Sequence, residues 1–217
     1  MTRNQVLKPI VFLACLLPLA SLGLRAVEGR MGANPIERIT HQTGWWTLAF
    51  LLGSLAITPL RRLSKVLWLV QYRRMIGLFA FFYGTLHMLT YVWLDQFFDV
   101  RAMVHDIGKR PFITMGSLAY LSMIPLALTS TKWSIRKLGK KWQTLHRLAY
   151  VAAVAGVIHF LWLVKKDKSE PATFAIVLGV LFAIRIWFII QERRSKASGA
   201  RVILPTGQRT ADPTSSA

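Results

Sequence analysis

Five histidines stand in this chain, at positions 41, 87, 105, 146 and 159. His87, His146 and His159 lie in or at the edge of long apolar stretches. Imidazole is a metal ligand and a proton carrier. In hydrocarbon it is costly unless it pairs or ligates, so each of the three is a candidate functional group. His146 and His159 bracket one apolar stretch, 144–164, in which only Arg147 and Tyr150 are otherwise polar between them. His87 stands thirteen residues past Arg74, and His159 thirteen past His146. If those two stretches run in the same direction, His87 and His159 reach one depth, about 20 Å up at 1.5 Å per residue. Two neutral imidazoles facing each other across a helix bundle are the donor set for a low-spin haem iron.

His146 has no such partner. Fourteen residues before His87, on the same helix face, stands Arg73. The spacing therefore yields one complete axial pair and one half pair. A second haem at His146 needs water, an unusual ligand or a residue from elsewhere. Arg73 stays charged and suits a haem propionate better than iron; Arg147 beside His146 and Arg185 have the choice between a propionate and the membrane surface. Thirteen residues on an ideal helix leave His146 and His159 about 140° apart, so a tilt, a π-bulge or a different partner face is needed for both to address one groove. Gly84 and Gly156 each precede a histidine by three residues, leaving room either for a porphyrin edge or for close helix packing. Interhelical hydrogen bonding is the alternative use of these histidines. Zinc would want three or four close ligands, and no carboxylate or cysteine lies at that depth. His41 sits near the mouth of its stretch, and His105 falls in a loop and is expected to be solvated.

These side chains must be positioned by membrane helices. The chain has 217 residues, 53% of them hydrophobic, with eight tryptophans and a mean hydropathy of +0.40. The apolar runs are roughly 17–22 residues long, enough to cross a bilayer core of about 30 Å. Six spans are expected, at about 9–24, 43–60, 74–94, 112–129, 146–164 and 172–191, giving an all-α, polytopic membrane bundle. The first follows Arg3 and Lys8 without a small-residue cleavage site and is expected to be retained. Trp45-Trp46, Tyr91, Trp93, Trp162 and Trp187 fall where interface anchors belong. From 193 the tail is rich in Ser, Gly, Thr and Pro and is expected to be disordered and cytoplasmic.

The net charge of +19 sits between the apolar runs. It speaks for topology and anionic lipid headgroups rather than nucleic acid. Of the 28 Lys and Arg, 18 lie in the N-terminus, the links 61–74 and 130–147, and the tail, while seven of nine acidic residues lie in the other three links. The positive-inside rule then places both termini in the cytoplasm. The lone Cys15 excludes an intrachain disulfide and any cysteine-based zinc or iron–sulfur cluster. No Asp or Glu lies inside a span and no inverted repeat is visible, which disfavours a transporter.

At these residues the chain resembles the ferric-reductase-like transmembrane domain, and within that group the MsrQ (YedZ) family. The resemblance covers about residues 5–192. It rests on Asn34-Pro35, Thr58-Pro59-Leu60-Arg61, Arg73-Arg74-x-x-Gly77, His87, Lys141-Trp142-Gln143-x-Leu145-His146-Arg147-Leu148-x-Tyr150 and the spacing to His159. One departure is Arg73, where the wider group has a histidine. The resemblance implies an electron-transfer subunit of the bacterial inner membrane carrying haem b, one or two per chain. His87 and His159 are its expected axial ligands, with His146, Arg73 and Arg147 as further cofactor-binding residues. It also implies FMN, at no site that the residues reveal. Electrons would come from quinol or a cytoplasmic flavin reductase and pass to a periplasmic molybdenum-cofactor methionine sulfoxide reductase, MsrP. Methionine sulfoxide chemistry would belong to that partner and not to this chain. No G-x-G-x-x-G loop occurs, so NADPH is not expected to bind here directly. The basic loop 132–147 suits either an acidic partner or an FMN phosphate, or lipid headgroups. The alternatives are a self-contained ferric or flavin-linked transmembrane reductase and, less favoured, a transporter.

Overall fold

The structure is a computed structural model that describes the backbone of residues 3–201 and the side chains of 7–195. Among the described residues it is helical, with no strand: α1 (Arg3–Val27), α2 (Pro35–Ser64), α3 (Val70–Leu89), α4 (Val100–Lys109), α5 (Pro111–Leu128), α6 (Lys132–Leu138), α7 (Lys140–Leu145), α8 (Leu148–Leu163) and α9 (Ser169–Arg201). Six helical segments are long and apolar enough to cross a membrane: Leu7–Val27, Pro35–Ser64, Leu67–Asp95, Pro111–Leu128, Lys140–Leu163 and Ser169–Ser195. They coincide with the six expected spans and run longer at most ends. α9 continues to Arg201, past the point where the tail was expected to begin; residues 202–217 lie outside the described residues.

Local chemistry explains the boundaries. α2 opens with Pro35 at its first turn, where a missing N–H costs nothing. Asn34 caps it by accepting from the Glu37 N–H at 3.2 Å, while Glu37 Oε2 accepts from Asn34 Nδ2 at 3.1 Å. The Asn34-Pro35 pair singled out in the sequence is thus a helix start. Asp99 caps α4 through the Ala102 N–H at 3.0 Å, and Thr131 caps α6 through the Ser134 N–H at 3.1 Å. Gly139 separates α6 from α7 at φ +51° and ψ −123°, a conformation that side-chain-bearing residues avoid.

Residues Met1–Leu181 form one compact unit, and Phe182–Ala217 a second. In the first, α2 packs along α3 and α5 packs along α8, while α2 also meets α8 and α3 meets α5. Between these four helices lie His87 and His159. α1 lies against α3, and its seam is chemically specific. Pro18 breaks the hydrogen-bond ladder of α1, and the buried Tyr83 hydroxyl inserts there. It accepts from the Leu19 N–H at 3.1 Å and donates to the Cys15 carbonyl at 2.9 Å. Around it Cys15, Phe79 and Tyr83 form a buried cluster with Trp46, Phe50 and Leu86. In the second unit α9 continues, and the Trp187 and Phe188 rings lie 5.0 Å apart.

The outward faces carry large apolar side chains such as Leu13, Leu17, Leu121, Ile176 and Val180. So many exposed apolar groups fit a surface solvated by lipid rather than water.

Two departures from regular helix bear on the site. After Leu89 the chain widens into a π-helical turn, Thr90–Asp95, a feature that recurs beside functional residues. The span from Lys140 to Leu163 also passes through a tighter turn at His146–Arg147, between α7 and α8, with both residues still in the right-handed helical region.

Candidate functional site

His87 ends up opposite His159. Their ring centroids are 6.0 Å apart and the ring planes cross at 76°. A metal–imidazole bond is about 2 Å long, so two such bonds in line plus the ring radii would place centroids about 6.5 Å apart. The observed centroid separation lies within about 0.5 Å of that value.

Both rings are held in the same way. His87 Nδ1 lies 2.9 Å from the Thr40 carbonyl oxygen, and His159 Nδ1 lies 2.6 Å from the Phe112 carbonyl oxygen. A carbonyl can only accept, so each Nδ1 must carry the proton. Each Nε2 then keeps its lone pair for a metal, the arrangement in which backbone carbonyls orient ligating histidines.

The next turn of each supporting helix is cleared by glycine. A Cβ on Gly44, four residues after Thr40, would stand 3.0 Å from His87 Cε1 and 3.1 Å from Nδ1. A Cβ on Gly116, four residues after Phe112, would stand 2.8 Å from His159 Nδ1. α2 and α5 thus present the same device, a carbonyl followed one turn later by a bare backbone on which the imidazole lies.

The rings sit in a cavity of about 930 Å³, within the usual range for cofactor sites. Its walls are mostly apolar and aromatic, including Leu48, Leu51, Phe112, Met123 and Phe160. Gly84 and Gly156 line it too. A Cβ on Gly156 would come within 2.9 Å of Leu48 Cδ2, and one on Gly84 within 3.4 Å of Thr47 Cγ2. Both glycines therefore allow close helix packing and at the same time line the cavity.

Cations gather where α8 ends and α5 begins: Arg110, Lys165 and Lys166 all line the cavity. Arg110 also pairs with Asp106 at 3.4 Å. This is a ready site for the carboxylates of a cofactor, and sequence reading used these residues only for topology. Arg73, Arg147 and His146 do not line the cavity. His146 instead stacks on Trp142, with centroids 3.8 Å apart, and its Nδ1 lies 3.1 Å from the Trp142 carbonyl. Arg73 lies within electrostatic reach of it, as the fourteen-residue spacing suggested. His41 stands at the cavity mouth, with Nε2 3.3 Å from Glu170 Oε2. Among the described residues no cluster of three His, Cys, Asp or Glu side chains is grouped to hold a bare metal ion. A group bringing four ligands of its own suits this pair; a bare ion does not. Haem has that chemistry, and the paired imidazoles, the glycine clearances and the cationic mouth all fit it.

The description "Ferric reductase like transmembrane component" matches residues 43–157. A protein of Herminiimonas arsenicoxydans named "Protein-methionine-sulfoxide reductase heme-binding subunit MsrQ" is 50% identical over 191 residues, 87% of this chain and 88% of its own. The chain belongs to the MsrQ family. A relative of the same name from Rhodospirillum rubrum is 52% identical over 194 residues, covering 89% of this chain and 93% of its own. One from Azospira oryzae is 51% identical over 184 residues, covering 84% and 79%. No solved structure matches the chain. MsrQ membership accords with the six apolar helices and makes the chain a multi-pass membrane protein.

Proposed function

We propose that this chain is the haem b electron-transfer subunit of a protein-methionine-sulfoxide reductase system in the bacterial inner membrane. It takes electrons from the quinone pool and passes them to a periplasmic molybdenum-cofactor reductase, MsrP, which reduces methionine sulfoxide in oxidised proteins. The single observation that supports this most is the facing of His87 and His159 with both Nδ1 atoms tied to carbonyls. The names of the relatives supply the system.

Haem bound here would supply one-electron transfer; this chain's residues hold and orient it. His87 Nε2 and His159 Nε2 would hold its iron. Thr40 and Phe112 fix their tautomers, and Gly44 and Gly116 let the rings lie flat on α2 and α5. Arg110, Lys165 and Lys166 receive the carboxylates. The apolar walls would pack against the faces of a flat, hydrophobic cofactor. With both termini cytoplasmic, as the charge bias argues, the cationic mouth faces the periplasm, and the cofactor edge lies on the side of MsrP. His146, with Arg73 beside it, stands at the cytoplasmic end as the candidate for a second haem, and the basic segment 132–147 is the candidate for FMN or a flavin reductase.

The test is reconstitution. Liposomes holding the chain, a quinol and external MsrP should reduce a methionine-sulfoxide peptide, and a His159→Ala chain should not. Equal turnover by both chains, or none by the first while its haem reduces with dithionite, would refute the reading.

A further inference from the structure

Beside the main cavity lies a smaller recess of about 250 Å³, lined by Phe160, Val164 and Pro171 on its apolar sides and by His41, Asp167 and Glu170 on its polar side. It shares His41, Phe160 and Val164 with the main cavity. Phe160 is the residue next to His159, and its ring lies 5.9 Å from that of His41. Phe160 thus lines both the recess and the cavity that holds the His87 and His159 rings.

His41 Nε2 is 3.3 Å from Glu170 Oε2, and both side chains are about half exposed, at 48% and 53%. The pair has no evident structural task. It joins the second turn of α2 to the first turn of α9, which an apolar contact would do as well. Exposed ion pairs contribute little to stability. It does have the form of a proton acceptor: the carboxylate holds the proton on Nε2 and can stabilise the imidazolium, and Nδ1 remains to accept another. The ring of Phe160 on one side, a base at the polar edge and continuity with the cavity that holds His87 and His159 suit a quinol headgroup, whose ring is flat and whose hydroxyls need an acceptor.

We propose that this recess, between α2, α8 and α9, is a quinol oxidation site with His41 as proton acceptor and Glu170 as its orienting carboxylate. The inference rests on the quinol-donor reading above. The balance is simple. The bound quinol loses two protons and two electrons and leaves as quinone. One hydroxyl proton goes to His41 Nδ1 and on to water past Glu170; the other goes directly to water at the open edge beside Asp167. The two electrons would leave one at a time to a haem held by His87 and His159, which the external acceptor would reoxidise between them. Proton release is then on the side where both helices begin.

The experiment uses the purified holoprotein, a short-chain ubiquinol and an azido-substituted quinone photolabel. In the wild-type chain the ubiquinol should reduce the haem. In the His41→Gln chain the rate should fall at least tenfold, and in the Glu170→Gln chain several-fold, while the Soret band and dithionite reduction stay as in wild type. The photolabel should mark the segment 159–171, and excess quinone should suppress the labelling. Unchanged rates in both variants, or labelling elsewhere, would overturn this site alone. A wild-type haem that ubiquinol does not reduce would overturn the donor reading, and this site with it. If His41→Gln fails to hold haem, Glu170→Gln and the label position decide by the same criteria.

Discussion

Substituting Gly116 by alanine puts a methyl group against the ring of His159. The added Cβ would stand 2.8 Å from Nδ1, 3.0 Å from Cε1 and 3.3 Å from Cγ. Carbon atoms pack comfortably at about 3.5 Å, so the ring must retreat by about 0.7 Å. It cannot do so and keep the 2.6 Å contact from Nδ1 to the Phe112 carbonyl. Over-packing of this kind costs about 1–3 kcal/mol. Loss of the group that orients a metal ligand lowers affinity by about 10–100-fold, so the two magnitudes agree. Gly44→Ala should act in the same sense but less, because its Cβ would stand 3.0 Å from His87 Cε1. Gly53→Ala is the control, since the nearest atom to its Cβ would be Ile76 Cγ2 at 3.8 Å. All three changes raise helix propensity by about 1 kcal/mol, so loss of haem cannot be put down to weaker helices. Haem titration of the purified apoproteins, followed at the Soret band, should rank affinity as Gly53→Ala equal to wild type, then Gly44→Ala, then Gly116→Ala. If Gly116→Ala binds haem as Gly53→Ala does, the carbonyl-and-glycine support of His159 is wrong.

Tyr83→Phe should leave haem loading unchanged but destabilise the seam between α1 and α3 by about 1–3 kcal/mol, because the Leu19 N–H and the Cys15 carbonyl lose their bridge; thermal unfolding in detergent measures it. Arg110→Ala should weaken haem binding without removing the low-spin spectrum, as Arg110 stands at the cavity mouth and not at the rings. His146→Ala should lower the haem-to-protein ratio only if a second iron is bound there, and the spectrum of the His87–His159 haem should persist; haem and protein assays on the same sample decide.

Much of this was legible in the sequence because hydrocarbon imposes simple rules. Uninterrupted apolar runs marked the six spans, and counting residues from Arg74 and His146 put His87 and His159 at one height. That argument needs only a constant rise per residue. It could not show what lies against the far edge of each ring. Thr40 and Phe112 act through backbone carbonyls, which carry no side-chain signature. Gly44 and Gly116 look like any packing glycines until the rings are placed; their shared position near the start of spans 2 and 4, at the histidines' depth, was the available signal. Arg110, Lys165 and Lys166 were hidden in the charge count, because loop geometry decides which cations turn back over a cavity. The tighter turn at His146–Arg147 follows no proline or glycine, so nothing local in the sequence marks it within the fifth span.

The most direct test of the central claim is low-temperature electron paramagnetic resonance on the oxidised, haem-loaded protein and on His87→Ala and His159→Ala. If one iron sits between these two rings, the wild-type chain shows a low-spin ferric signal, and each single variant loses that same signal. A low-spin signal that survives unchanged in either variant would show that the iron is held elsewhere.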